Sequence, residues 1–248
     1  MKLLIVNPNI SQSVTDLIEA EARRAASPGT ALTMRTAPFG VAYIETRAEA
    51  AVGAFATLNE LAEHHEGHDA AIVAAFGDPG LAAAREMLPI PVVGLTEAAL
   101  MSAAMLGGRF SIVAISRRIR AWYQETVEMH GLAGRLASIR CLEESLRDIG
   151  TVQTDKGEQL QALCEAAVNE DGADVIIIAG APLAGLARSI ADRIPVPVVD
   201  GVSSAVRHAE SLAALAPRGA SAGSYAPPPV KEWSGLSPAL GALIGRKQ

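Results

Sequence analysis

DAAIVAAFGDPGLAAAREMLPIPVVGLTE, residues Asp69–Glu97, decides the fold, because the chain carries its pattern twice. An apolar run, Ala70–Ala75, reads as a strand buried on both faces. It enters a turn, Gly77-Asp78-Pro79-Gly80, then an Ala-rich helix, and Ile90-Pro91-Val92-Val93-Gly94 returns to the sheet. Asp174–Ser204 repeats this order: strand Val175–Ala179, turn Gly180–Gly185, helix Leu186–Arg193 and return Pro197–Gly201. Aligning Asp69 with Asp174 sets Ala75 on Gly180, and Pro91 on Pro197 after a one-residue slip. Two copies of one strand–loop–helix unit predict two similar lobes whose loops face each other across a cleft.

The flanking sequence extends the repeat. Arg109–Ile115 (RFSIVAI) echoes residues 2–8 (KLLIVNP), and Ser116-Arg117-Arg118 takes the place of Asn9-Ile10-Ser11. In the first copy the predicted order is strand 2–6, helix Val14–Ala26, strand Ala31–Thr36 and helix Glu45–His64. Helix Ala98–Leu106 follows the first return strand. The second copy then reads as helix Ile119–His130, strand Leu136–Leu142 and helices Asp155–Asn169 and Val202–Leu215. The expected class is α/β: two pseudo-symmetric doubly wound lobes with central parallel sheets and an active-site cleft between them. Residues 1–96 plus 208–248 are expected to form the first lobe, and 97–207 the second. The Pro-rich tail, Pro217–Gln248, is expected to cross back over the first lobe and end in a short helix, Pro238–Ile244.

With 248 residues the chain is long enough for a substantial core. Half of it is hydrophobic and only 19% charged, as in an Ala/Val/Ile/Leu-rich globular protein. A net charge of −6, with no Lys/Arg cluster, argues against nucleic acid as a partner. The apolar start, residues 3–6, is too short for a signal peptide or a membrane span, so no membrane partner and a cytoplasmic location are expected. Cys141 and Cys164 form no CxxC or Cys/His spacing and read as two reduced thiols. His64, His65 and His68, at the polar end of a predicted helix, read as solvated rather than as metal ligands, and no metal is expected.

Ligands of open parallel α/β sheets bind beyond the carboxyl ends of the strands. That rule nominates Asn7–Ser11, Phe76–Gly80, Thr96-Glu97, Ser116–Arg118, Gly180–Gly185 and Asp200–Ser203. Asn9 and Ser11 suit either turn capping or contact with an anion at a helix N-terminus. Tyr43 reads as packing, with its hydroxyl a possible ligand contact. Two equivalent loops around a small molecule suit proton removal from one face of a planar intermediate and return to the other. They suit plain anion binding as well.

Several motifs carry a family resemblance. Asn7-Pro8-Asn9-x-Ser11, Phe-Gly-Asp-Pro-Gly-Leu (76–81), Pro-Val-Val-Gly-x-x-Glu-Ala-Ala (91–99), Gly-Ala-Pro-Leu-Ala-Gly (180–185) and the tail's Tyr-Ala-Pro-Pro-Pro together resemble the aspartate/glutamate/hydantoin racemase superfamily. The branch named for hydantoin and allantoin racemases is the most similar. The resemblance covers almost the whole chain. It implies two α/β lobes, an active site between them, no cofactor, a homo-oligomer, and proton abstraction α to a carbonyl in a hydantoin or amino-acid-like substrate. It also implies two cysteines as acid and base, and the matching positions here are Ala75 and Gly180. Neither can carry a proton, and losing one positioned acid/base group removes on the order of 10²–10⁴ in rate. The expected substrate contacts are Asn9, Ser11, Tyr43, Phe76, Gly77, Ala181, Pro182 and Leu183, with free N–H groups in residues 76–80 and 180–184 cradling an oxyanion. Asp78 is the expected replacement proton carrier, with Glu97 nearby and Asp200 its rival.

The reading taken forward is an isomerase, a racemase or epimerase acting on a small amino-acid derivative through non-thiol groups. Its alternatives are a catalytically silent or regulatory small-anion-binding protein, and a related lyase or decarboxylase using the same cleft.

Overall fold

The computed structural model describes residues 1–143, 152–215 and 219–244. The expected Pro217 and the last residues of the tail lie outside that range. The first lobe runs β1 (Lys2–Asn7), α1 (Gln12–Ala25), β2 (Ala31–Thr36), α2 (Arg47–His64), β3 (Ala70–Val73), α3 (Leu81–Met87) and β4 (Val92–Gly94). After α4 (Leu95–Leu106), the second runs β5 (Phe110–Ala114), α5 (Arg120–Met129), β6 (Leu136–Cys141), α6 (Val152–Asn169), β7 (Val175–Ile178), α7 (Leu186–Ile190) and β8 (Val198–Asp200). Then come α8 (Gly201–Leu215) and α9 (Pro238–Ile244). Among the described residues the strands form two four-stranded parallel sheets, ordered β2-β1-β3-β4 and β6-β5-β7-β8, the same order in both.

The repeat holds hydrogen bond by hydrogen bond. Asp69 accepts from Lys2 N–H at 2.7 Å, and Asp174 from Arg109 N–H at 2.8 Å. Ala74 N–H donates to Val6 O and Ala179 N–H to Val113 O, which makes Ala75 and Gly180 structural equivalents. Ala71 N–H meets Pro91 O and Ile176 N–H meets Pro197 O, so the one-residue slip falls between the third and fourth strands.

Two helices cross between the lobes. From α4, Ala99, Leu100 and Ala103 pack with Phe110, Ile112 and Ile177 of the second sheet. From α8, Val202, Ala205, Val206 and Ala209 pack with Leu3, Ile5 and Ile72 of the first. The helix that leaves each sheet thereby covers the other, and α4 and α8 lie against each other. A Cβ at Gly201 would lie 3.0 Å from Leu95 Cβ and O, so a side chain there would have to push α4 back by a few tenths of an ångström. The tail behaves as expected: Leu240 and Leu243 of α9 are buried with Leu4, Val6 and Leu61 of the first lobe. Ser237 bonds Asn59 of α2 at 2.9 Å, and Trp233 covers Gly241.

The histidines differ from expectation. His65 is buried, its Nδ1 3.1 Å from the carbonyls of Leu61 and Ala62, because the helix end turns it inward over its own last turn. His64 stands with Glu60 and Glu63 on α2, their ligand atoms within 4.8 Å of one another, while Glu60 also binds Arg35 at 2.9 Å. No described helix is long and apolar enough to cross a membrane.

Candidate active site

The loops after β3 and β7 each insert into the opposite lobe. Phe76 is buried in the second lobe's core, its ring centroid 4.7 Å from that of Tyr123 and in one cluster with Ala114, Cys141 and Ala179. Ala181 and Ala184 pack with Val14 and Ile18 of α1 in the first. Gln153 of α6 fixes the second loop by donating to Pro182 O and Ala184 O at 2.8 and 2.9 Å. Tyr43 crosses from the first lobe to the second lobe's Val113–Leu142 core. Its buried hydroxyl finds no partner among the described residues, and burial pushes its pKa upward.

Much of the expected N–H cradle is used within the loops. Gly77 N–H donates to Thr96 Oγ1 at 2.5 Å, Asp78 N–H to Ala75 O, Leu183 N–H to Gly180 O and Ala184 N–H to Ala181 O. Pro79 and Pro182 have no N–H to give. Asn9 Oδ1 accepts from Ser11 N–H at 2.9 Å and from Asn7 Nδ2 at 3.1 Å, and Ser11 caps α1 by accepting from Val14 N–H. Both polar groups of the first turn therefore hold the turn itself together. Ser116 Oγ, accepting from Arg118 N–H, repeats the Asn9 turn in the second lobe.

Asp78 is the one non-glycine residue with positive φ among those described (φ 48). Its buried carboxylate accepts from Thr96 N–H and Glu97 N–H, both at 2.8 Å, and so caps α4 from outside the helix. Gly94 is required beside it, since a Cβ there would run into the carboxylate. The second lobe meets the same need differently. Asp200, the equivalent of Gly94, accepts from Ser203 N–H at 2.8 Å to cap α8, and Leu183 fills Asp78's place. Burial pushes the Asp78 pKa up to about 7 against the pull of its two N–H bonds, and burial raises Asp200 also.

Beside Asp78, whose side chain is only 1% exposed, lies a cavity of about 600 Å³ between the lobes, walled by Ala50 and Ala54 of α2, Ala82 and Ala83 of α3, and Trp122, Thr126 and His130 of α5 and its end. Of the expected site residues, Gly77 and Asp78 line it, as does Glu97, while Asn9, Ser11, Tyr43, Ala75, Phe76 and Gly180–Leu183 do not. Arg85 binds both Glu97 oxygens, and this pairing holds the Glu97 pKa down. His130 Nε2 stands 4.0 Å from Asp78 Oδ2 and its Nδ1 3.9 Å from Glu97 Oε1. Burial lowers the His130 pKa, so the ring is neutral at pH 7. Sequence reading missed His130, Trp122 and Arg85. The one signal was the spacing of Trp122, Thr126 and His130, which share a helix face.

Cys141, distant from both loops in sequence, ends β6 inside the core shared by Phe76 and Ala179. Burial pushes its thiol up to about 11 and that of Cys164 to about 12, so both are protonated.

Two pseudo-equivalent parallel α/β lobes that exchange helices, with a strand-end loop of each buried in the other, define the class. The chain belongs to the Asp/Glu/Hydantoin racemase family, which it matches over residues 3–209. It is 36% identical over 235 residues to a hydantoin racemase of Paenarthrobacter aurescens, covering 94% of this chain and 100% of that protein. A hydantoin racemase of Pseudomonas sp. (strain NS671) is 33% identical over 236 residues, 95% of each chain. Among solved structures, allantoin racemase from Klebsiella pneumoniae is similar with a TM-score of 0.92 at 34% identity, over 97% of this chain and 98% of that one.

Proposed function

We propose that this chain is a cofactor-independent racemase or epimerase that moves the α-proton of a small amino-acid derivative, a hydantoin or similar cyclic amide, without a thiol. The observation that carries this reading is the pair Ala75 and Gly180, equivalent by hydrogen bonding, with Asp78 three residues beyond the first. A pKa raised to about 7 suits Asp78 to both taking and returning a proton at neutral pH. Asn9, Ser11, Tyr43 and the loops around Phe76, Gly77 and Ala181–Leu183 form the surrounding shell. A cytoplasmic homo-oligomer belongs to the same reading, supported by the exposed, tilted ring contact of Phe39 with Phe55. So does a division into 1–96 plus 208–248 and 97–207, supported by the burial of Ala209 at the end of α8 with Leu3, Ile5 and Ile72 of the first lobe.

The test is α-proton exchange. Chiral 5-substituted hydantoins and free amino acids are incubated with the protein in deuterated water and followed by NMR and optical rotation. Exchange that Asp78→Asn abolishes supports the enzyme and its base. Ligand-induced thermal stabilisation without exchange favours the silent binding protein, a reading supported by the commitment of both Asp78 oxygens to capping α4.

A further inference from the structure

The turn that opens α5 runs against the electrostatics of a helix. Arg117, Arg118 and Arg120 crowd the end where a helix is positive, and no acidic residue stands in its first turn. The corresponding stretch of the first lobe, Asn9–Ser13, carries no charge at all. Cations so placed destabilise the helix, and a local rule broken without a local gain marks a functional position.

Arg117 and Arg120 reach one cavity of about 180 Å³ beside β6, the edge strand of the second sheet, where Arg140 joins them over Cys141. Their donors are only partly used. The Arg120 guanidinium is exposed and has no hydrogen-bond or ion-pair partner among the described residues. Arg140 donates from Nε and Nη2 to Asp171 and Glu170, which leaves its Nη1 without a bond there. Arg117 donates from Nη1 to Glu143 at 2.5 Å, but the two side chains are 64% and 74% exposed, so water competes for the pair. Glu143 also lines the cavity, and its carboxylate stands where an external anion would sit.

We propose that this cavity binds a phosphate group, free or carried on an ester, between the guanidiniums of Arg117, Arg120 and Arg140. A tetrahedral dianion turns several acceptor oxygens toward these donors, and the guanidinium fork matches phosphate with paired N–H···O bonds. Glu143 is the internal competitor. The anion takes Arg117 from it, and the displaced carboxylate turns into solvent. The volume admits the phosphate group itself, and the remainder of an ester lies outside. This site is distinct from the loops at 75 and 180, and it stands without the proton-transfer reading.

Thermal unfolding is followed with inorganic phosphate and with glycerol 3-phosphate, the ionic strength held constant with chloride. Both anions are expected to raise the unfolding midpoint saturably. Arg120→Gln, at an exposed residue without a partner, leaves the fold intact and is expected to weaken binding on the order of tenfold. Arg118→Gln removes the same charge from the same turn, but its side chain does not line the cavity, so affinity is expected to change less than about twofold. Glu143→Gln frees Arg117 and is expected to tighten binding by roughly two- to fivefold, which damage to the fold cannot do. A stronger response to the ester assigns the site to a phosphorylated metabolite, and an equal or weaker one to free phosphate. The absence of saturable stabilisation by either anion overturns the proposal. So does equal weakening by Arg118→Gln and Arg120→Gln, the mark of a diffuse positive field, and so does weaker binding in Glu143→Gln.

Discussion

Asp78→Asn should remove a pH dependence of stability that the buried carboxylate imposes. In the folded chain the group titrates at about 7, against an ordinary value of 3.8. A folded pKa above the unfolded one means that the native state holds the proton more tightly, so stability is greatest below 3.8 and falls as pH rises towards 7. At roughly 1.4 kcal/mol per pH unit the gap amounts to about 4 kcal/mol, a large part of the 5–15 kcal/mol typical of a folded protein. The variant also loses the acceptor for Glu97 N–H, a cost of about 1–3 kcal/mol that does not vary with pH. Urea unfolding of both proteins from pH 4 to pH 8 separates the two effects. The wild-type stability minus that of the variant should fall by about 4 kcal/mol across the range. A flat difference, or one that rises with pH, refutes the reasoning, because it means that the two N–H bonds outweigh burial and Asp78 is an ordinary ionised cap.

Three further outcomes follow from the same geometry. Gly94→Ala drives a methyl group into the Asp78 carboxylate and should reduce α-proton exchange as far as Asp78→Asn does, measured by NMR in deuterated water. Ala75→Cys with Gly180→Cys should raise racemisation at least 10²-fold, followed by optical rotation. There is room at position 180, where the nearest atom to a new Cβ is Pro182 Cδ at 3.7 Å, although φ of +109° makes the second change cost about 1–3 kcal/mol. Leu100→Ala, fully buried where α4 covers the second sheet, should destabilise the chain by about 2–5 kcal/mol in urea unfolding.

The repeat was legible because its punctuation is chemical. Glycine and proline mark the turns at 77–80 and 180–185, and unbroken apolar runs mark strands covered on both faces. The exchange of α4 and α8 was legible only in part, since a division at 96/97 sends α4 to the second lobe while one at 207/208 cuts through α8. α4 buries Leu95, Ala98, Leu100 and Ala103, almost all of its circumference, so its apolar pattern fits either sheet. Asp78 could be placed on its turn, but the direction of its carboxylate depends on Gly94 and on N–H groups 18 and 19 residues away. His130 and Trp122 enter the site from the other lobe, and only docking shows that their helix face meets Asp78. Cys141 joined the core of Phe76 and Ala179 for a related reason: adjacent strands align their ends whatever their distance in sequence.

A chain lacking both thiols, Cys141→Ser with Cys164→Ser, puts the claim of thiol-free proton transfer to its most direct measurement. Its initial rate of deuterium incorporation at the α-carbon of a 5-substituted hydantoin should match that of the unaltered chain within about twofold, since both thiols are buried and protonated. Exchange that disappears with the thiols, in a protein that still unfolds cooperatively, would contradict the account and return the reaction to Cys141.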